Sequence, residues 1–420
     1  MTEYALTRLE KAIGEMDDSD GHMGDIVPAL QELHHDACLQ AGEDATTLAH
    51  RLFKWELKSD WEFFRGSPEM YADVFGPQGL AEYRRLAEAE WQKLPALVPG
   101  DDSDARFGSR FRITSIMESL ARQSSDHEAL VAIKRHDLSH PYSFLQIAEI
   151  YRQARKDDQA LDWAEQGMRA FPRIDSRLSD FVANEYHRRD RHNEAMDLIW
   201  AQFIESPQLQ TYQKLRTHAL MCDPASDKLV NRKSRVGLLP DQAGGSPLLN
   251  RAMDDRTEHQ PLIVNSEWFS WREKALTHLR AITKAEMRSA NRVQPKYAWQ
   301  HSPDHSLLVE IFLWEQNYEE AWQEAIAGGC SQHLWLRLAD ASLKDHPERS
   351  LPIYRELIAP TLARTNNAAY DEAIKLLGKM RKAMLSLDRT TEFDDYLAAL
   401  RAEYKRKRNF IKLLDRMRKL

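Results

Sequence analysis

Between Pro141 and Pro207, apolar residues recur at three- and four-residue intervals, stop at a proline, and then do so again in the same order. The stretch YSFLQIAEIYRQARKDDQALDWAEQGMRAFP (142–172) and the stretch RLSDFVANEYHRRDRHNEAMDLIWAQFIESP (177–207) align at an offset of 35 residues. Ile147 falls on Val182, Ala148 on Ala183, Tyr151 on Tyr186, Ala160 on Ala195 and Pro172 on Pro207. The spacing predicts two helices per copy, because apolar residues three and four apart share one helix face. Ala148 and Ala183 are small enough to let a partner helix approach, and Tyr151 and Tyr186 fill the gap beside them. Ala160 and Ala195 mark where the second helix crosses the first. The prolines end that second helix, since proline lacks an N–H and disfavours helix in the residue before it. Matches at one offset close to 34 residues resemble a tetratricopeptide-type helix pair.

Weaker copies flank this pair. ITSIMESLARQSSDHEALVAIKRHDLS (113–139) has the same rhythm upstream, with Ala129 and Leu130 in the slots of Ala160 and Leu161. LLVEIFLWEQNYEEAWQEAIAGG (307–329) and LWLRLADASLKDHPERSLPIYRELI (334–358) continue it downstream. Helix pairs that share one core with their neighbours make a solenoid. The expected fold is therefore all-α, a tetratricopeptide-like helix-pair solenoid.

Two regions break the rhythm. Residues 1–110 carry longer helical segments, ATTLAHRLFKWELKSDWEFF (45–64) and GLAEYRRLAEAEWQKL (79–94), separated by FGPQG (75–79) and followed by PGDDSD (99–104) as a boundary. Residues 222–265 hold four prolines and a Gly-Gly with no sustained period, so they form an irregular insertion or a disordered loop. The expected organisation is an N-terminal helical region (1–110), repeats (111–221), the insertion (222–265), and C-terminal repeats with a basic terminal helix (266–420). Helices resume at SEWFSWREKALTHLRAITKAEMRSA (266–290), with Ser266 as a candidate N-cap.

Composition agrees with a helical reading. The chain of 420 residues is 42% hydrophobic and 29% charged, with only 16 glycines, and low glycine favours helices over turn-rich β structure. Cys38, Cys222 and Cys330 lie far apart with no CxxC pair, so neither a disulfide framework nor a cysteine-based zinc site is expected, and a reducing cytoplasm fits. The first residues contain no apolar signal core, and no window approaches a membrane span.

Six segments carry a family resemblance: YADVFGPQGLAEYRRLAEAEW (71–91), SFLQIAEIYRQARKDDQALDWAEQGMRAFP (143–172), ANEYHRRDRHNEAMDLIWAQF (183–203), LLVEIFLWEQNYEEAW (307–322), TNNAAYDEAIKLL (365–377) and YLAALRAEYKRKRNFIKLLD (396–415). They resemble the long helical region of bacterial SWIM zinc-finger proteins, and of related bacterial proteins that carry this region alone. The resemblance runs from about residue 40 to the C-terminus and implies the helical-repeat fold. The family's recognisable functional module, a CxCxnCxH zinc finger associated with DNA or protein binding, does not carry over, because the chain has no CxC.

Candidate chemistry is sparse. His136 and His140 in HDLSH, and His301 and His305 in HSPDH, are four apart but run into or contain a proline, so the shared helix face that a metal would need is broken. These histidines, with the His34–His35 pair, are expected as capping or surface groups. The paired acids Asp17–Asp18, Asp101–Asp102, Asp157–Asp158, Asp254–Asp255 and Asp394–Asp395 sit where turns and polar helix faces are expected, not in a dry cleft that would separate their pKa values. No phosphate-binding loop, dinucleotide fingerprint or nucleophile elbow occurs. Neither a cofactor nor a metal nor an enzymatic activity is expected. Trp163, Trp200, Trp314, Trp322 and Trp335 fall on apolar helix stripes and read as packing groups, whereas Trp268 and Trp271 follow the insertion.

Charge singles out the C-terminus. Residues 401–420 hold nine Lys or Arg and two acids, a net of +7 in a chain whose total is −7. The apolar spacing of Tyr404, Phe410, Ile411, Leu414 and Met417 predicts that the segment continues one helix begun near Glu392 and presents a basic face from it. The function expected is a protein-interaction scaffold whose concave groove takes a peptide or helix. Gln146, Glu149 and Arg152 of one first helix, and Asn184 and Arg188 of the next, are the expected contacts. The first alternative is association with nucleic acid through Lys405, Arg406, Lys407 and Arg408, and the second is a hydrolase or nuclease activity carried by the 222–265 insertion.

Overall fold

The computed structural model describes residues 2–12, 23–59, 64–101, 108–173, 175–222, 266–290 and 304–417. Among them are twenty helices and no strand, with one isolated parallel bridge between Leu97 and Asp137. The chain is all-α and is built of successive helix pairs, as expected. It divides into two compact units, Met1–Leu198 and Ile199–Leu420. Most of the irregular stretch 222–265, and the PGDDSD boundary from Asp102 onward, lie outside the described residues.

The first unit begins with α1 (Thr2–Ala12), α2 (Met23–Ala41), α3 (Ala45–Lys58), α4 (Ser67–Met70) and α5 (Ala72–Trp91). Asp44 sets the start of α3 by accepting the Thr47 N–H at 2.8 Å, which satisfies a donor that has no partner within the helix. α3 ends at Lys58, short of the expected Phe64, and Phe64 stands in a turn with a left-handed backbone. The expected FGPQG separator is a kink inside α5, where Gly76 takes φ +54° ahead of Pro77. Around these helices Phe53, Phe64, Tyr71, Phe75 and Tyr83 pack ring against ring, with neighbouring centroids 5.4–6.1 Å apart.

The repeats follow as α6 (Ser109–Gln123), α7 (His127–Arg135), α8 (Pro141–Gln153), α9 (Asp157–Ala170), α10 (Ser176–His187) and α11 (His192–Glu205). α6, α8 and α10 are first helices; α7 and α9 are second helices. Ala148, Ala160, Ala183 and Ala195 are fully buried, as the 35-residue alignment requires. Gly167 of α9 permits a close approach, because a Cβ there would lie 2.6 Å from the Cβ of Phe144 on α8 and 2.9 Å from Leu178 on α10.

Five helices close with the same backbone device. The N–H of Asp126, Lys156, Arg191, Asn317 and Arg389 donates to the carbonyl five residues earlier at 2.9–3.0 Å. The residue just before each donor, Ser125, Arg155, Asp190, Gln316 or Asp388, has φ between 53° and 60°. This is a Schellman closure, which satisfies the last helical carbonyls by placing one residue in the left-handed region. None of the five is glycine, so each carries a cost of about 1 kcal/mol for its Cβ. Arg155→Gly is therefore expected to raise stability by about 0.5–1 kcal/mol, measured as an increase in denaturation midpoint, whereas Arg155→Val is expected to lower it.

Consecutive repeats are also latched through side chains. The Tyr151 hydroxyl donates to Glu128 on α7 at 3.3 Å, and Lys156 donates to the other carboxylate oxygen at 2.5 Å while lying over the tyrosine ring. One repeat on, Tyr186 donates to Glu165 on α9 at 2.9 Å, with Arg191 3.9 Å over its ring and 3.6 Å from the same carboxylate. The repeated tyrosines thus do more than fill space: each ties its helix to the second helix before it.

The second unit comprises α12 (Leu209–Met221), α13 (Ser266–Ala290), α14 (Ser306–Trp314), α15 (Tyr318–Gly328), α16 (Gln332–Ser342), α17 (Pro347–Ala363), α18 (Asn367–Ser386), α19 (Thr390–Glu403) and α20 (Arg408–Met417). α12 and α13 pack on one another although the chain between them is the irregular stretch. A long connection between two paired helices costs little, because closure entropy grows slowly with loop size. Ser266, expected as an N-cap, is the first residue of α13 itself. No helix among the described residues is long and apolar enough to cross a membrane.

Candidate functional site

The face made by α6 and α8 carries a groove of about 400 Å³. Its walls are Phe111, Thr114 and Glu118 of α6, Lys134 of α7, and Tyr142 and Gln146 of α8. Local sequence fixes the mouth. His140 caps α8 by accepting the Tyr142 N–H on its Nδ1 at 3.1 Å, and Pro141 occupies the first helical position where no N–H is needed. The preceding loop is pinned by Leu97, whose N–H donates to His136 O and whose carbonyl accepts from Leu138 N, both at 2.9 Å. Asp137 accepts from the Ser139 N–H at 3.1 Å and from its hydroxyl at 2.7 Å.

Two aromatic rings stand out of the face, Phe111 with 41% and Tyr142 with 39% of its surface exposed. Each is covered by a guanidinium. Arg65, from the turn before α4, lies 5.2 Å above Phe111 and donates to Ser115 Oγ at 3.1 Å. Arg177 of α10 lies 4.5 Å above Tyr142, and in return Arg152 of α8 lies 4.8 Å above Phe181 of α10. Glu118 is held by Lys134 at 2.6 Å. The carboxyl of Glu149 is pushed above the ordinary carboxylate range by burial, against the pull of Arg152 and Arg177.

Of the residues expected from sequence, Gln146 lines the groove and Arg152 bridges to α10 through Phe181. Glu149 is half-buried and Asn184 exposed on α10. Arg188 is exposed but spoken for, donating to the buried Glu185 at 2.8 Å. Sequence reasoning missed Arg65, Phe111, Tyr142 and Arg177. Only Tyr142 carried a local signal, being an aromatic on the polar side of the first turn of α8.

The basic C-terminal segment differs from expectation. It is not one helix continued from Glu392: α19 ends at Glu403, residues 404–407 form a turn, and α20 starts at Arg408 and packs back on α18. Phe410, fully buried, drives this reversal. Lys407 is half-buried, donating to Leu362 O at 2.6 Å beneath Tyr370 and Tyr404. Lys405 and Arg406 stand exposed in the turn and Arg408 at the helix start, so the four cations share no helix face.

The histidines divide. His140 caps a helix as expected, and His136 stacks on Trp91 at 4.5 Å with its pKa lowered by burial. His305 bonds Glu324 at 2.7 Å, while His301 lies outside the described residues. His34 is no surface group: it is 2% exposed, bonded to the Tyr71 hydroxyl at 2.8 Å and to Glu3 at 3.1 Å. Trp268 and Trp271 pack on Tyr212 and Trp200, with centroids 5.4 and 5.7 Å apart.

No protein-family model matches the chain, and no curated protein does. Among solved structures it is similar, at 13% identity over 99% of this chain and 78% of that chain, to a "circular tandem repeat protein with novel repeat topology and enhanced subunit contact surfaces", with a TM-score of 0.11. A score at that level carries no argument about this chain.

Proposed function

We propose that the chain is a non-enzymatic helical-repeat scaffold, and that the face of its first helices α6, α8 and α10 binds a peptide segment of a protein partner. The observation that carries this reading is the groove between α6 and α8, walled by two exposed aromatic rings beside the amide of Gln146. Rigid aromatic side chains supply contact area at little entropic cost, which is why they dominate binding hot spots. Gln146 offers a donor and an acceptor to a peptide backbone.

A random dodecapeptide display library selected on the full chain tests this. Peptides are expected whose affinity falls about tenfold or more on the double change Phe111→Ala and Tyr142→Ala, with the helical circular dichroism spectrum unchanged because neither ring belongs to the buried core. Recovery of peptides that bind wild type and double variant equally would overturn the reading.

A further inference from the structure

The groove belongs to a face whose charge is arranged in a particular way, and this narrows its ligand. Resting on the reading above, we propose that the occupant is an acidic peptide, with carboxylates received by Arg152 and aliphatic or aromatic residues placed against Phe111 and Tyr142.

Three guanidiniums lie over aromatic rings, 4.5–5.2 Å from the centroids: Arg65 over Phe111, Arg177 over Tyr142 and Arg152 over Phe181. A stacked guanidinium spends its face on the ring and keeps its in-plane N–H fork for a carboxylate, which it binds in bidentate geometry. Arg177 already uses that fork on Asp175, at 2.8 and 3.2 Å. Arg152 is different: it forms no ion pair of that kind among the described residues, and its charge acts only at longer range on the half-buried Glu149, three residues before it. Its ring partner holds it in place, so little side-chain entropy remains to be lost on binding.

The acids of the face are meanwhile answered from within. Glu118 is paired to Lys134, Asp137 is occupied by Ser139, and burial disfavours the charged form of Glu149. The second helix α9, by contrast, carries Asp157, Asp158, Asp162 and Glu165 against a single base, Arg169. Of these acids, Asp157, Asp158 and Glu165 are answered by Arg188, Arg189 and Arg191 of the next repeat, at 3.7, 3.3 and 3.6 Å.

The display selection described above separates this inference from the reading it rests on. Peptides that depend on Phe111 and Tyr142 are expected to be enriched in Asp and Glu, and to lose about tenfold in affinity on Arg152→Glu and less on Arg152→Gln. Their binding should also weaken between about 50 and 200 mM salt, as screening shortens the reach of the charges. Dependent peptides with no acidic enrichment would overturn the acidic occupant and leave the groove standing. A selection that yields no dependent peptide overturns both. A single-stranded oligonucleotide that binds more tightly than the selected peptides, with the same dependence on Arg152, overturns the peptide in favour of nucleic acid. Arg152 is exposed, so an unchanged denaturation midpoint certifies that its variants are folded.

Discussion

Replacing Glu315 with alanine is expected to cost the second unit about 3 kcal/mol of stability, through an orphaned buried hydroxyl and a mostly buried guanidinium left with one partly exposed partner, Glu273. Glu315 closes α14, and its carboxylate accepts from the Tyr212 hydroxyl of α12 at 2.6 Å and from Arg272 of α13 at 2.7 and 3.0 Å. Tyr212 is fully buried, with its pKa raised chiefly by burial and further by the Glu315 charge. One carboxylate thus ties three helices, two of which flank the irregular stretch. The alanine variant leaves the Tyr212 hydroxyl without an acceptor and Arg272 with Glu273 as its remaining carboxylate, at 3.1 Å. Tyr212→Phe removes one donor only and should cost about 1 kcal/mol. Chemical denaturation of the two variants and of their double mutant checks this: additive losses would show that the three groups do not act as a unit.

Stability of the first unit is expected to fall by about 3 kcal/mol as pH rises from 5 to 8, through Glu56. This carboxyl is 4% exposed, and burial raises its pKa from 4.5 to about 7, even though the Tyr83 hydroxyl donates to it at 2.5 Å and the Gly66 N–H at 2.9 Å. A carboxyl whose folded pKa lies above its unfolded value binds more protons in the folded state between the two. Its contribution is complete below the unfolded value and is lost as pH rises through the folded one. His35 titrates in the same direction, its pKa raised first by its bond to Asp73, so the comparison must be with Glu56→Gln, which keeps His35. Denaturation midpoints of wild type and Glu56→Gln should diverge steadily between pH 5 and 8. Parallel curves would show that Glu56 does not titrate there. Because Glu56 holds the turn that carries Arg65 to the rim of the groove, the same variant is expected to leave that turn ordered at every pH.

How much of this was legible beforehand depended on the range of the interaction. The helix pairs at 142–172 and 177–207 were readable because period and small residues are local, and Ala148, Ala160, Ala183 and Ala195 are indeed fully buried. The latches to Glu128 and Glu165 were not, since the two glutamates are 37 residues apart while the tyrosines they meet are 35 apart. An alignment at one offset cannot see them. The C-terminal segment misled for a related reason: its apolar spacing survives a turn at 404–407, so one helix and two read alike until Phe410 is seen to bury itself.

By itself, then, the sequence determined that this chain is a series of helix pairs and that no familiar catalytic motif interrupts them. Those properties follow from residue spacing and backbone chemistry, which act within a few turns. Only the tertiary structure decided which polar groups are spent on holding the stack and which are left for a ligand. Arg152, Arg177 and Arg188 look alike in sequence, yet one fork faces no carboxylate and two are engaged. Arg177 and Arg188 meet acids two and three residues before them in the chain, whereas Arg152 lies over a ring of α10, and the packing of that helix beside α8 is a property of the folded repeats alone.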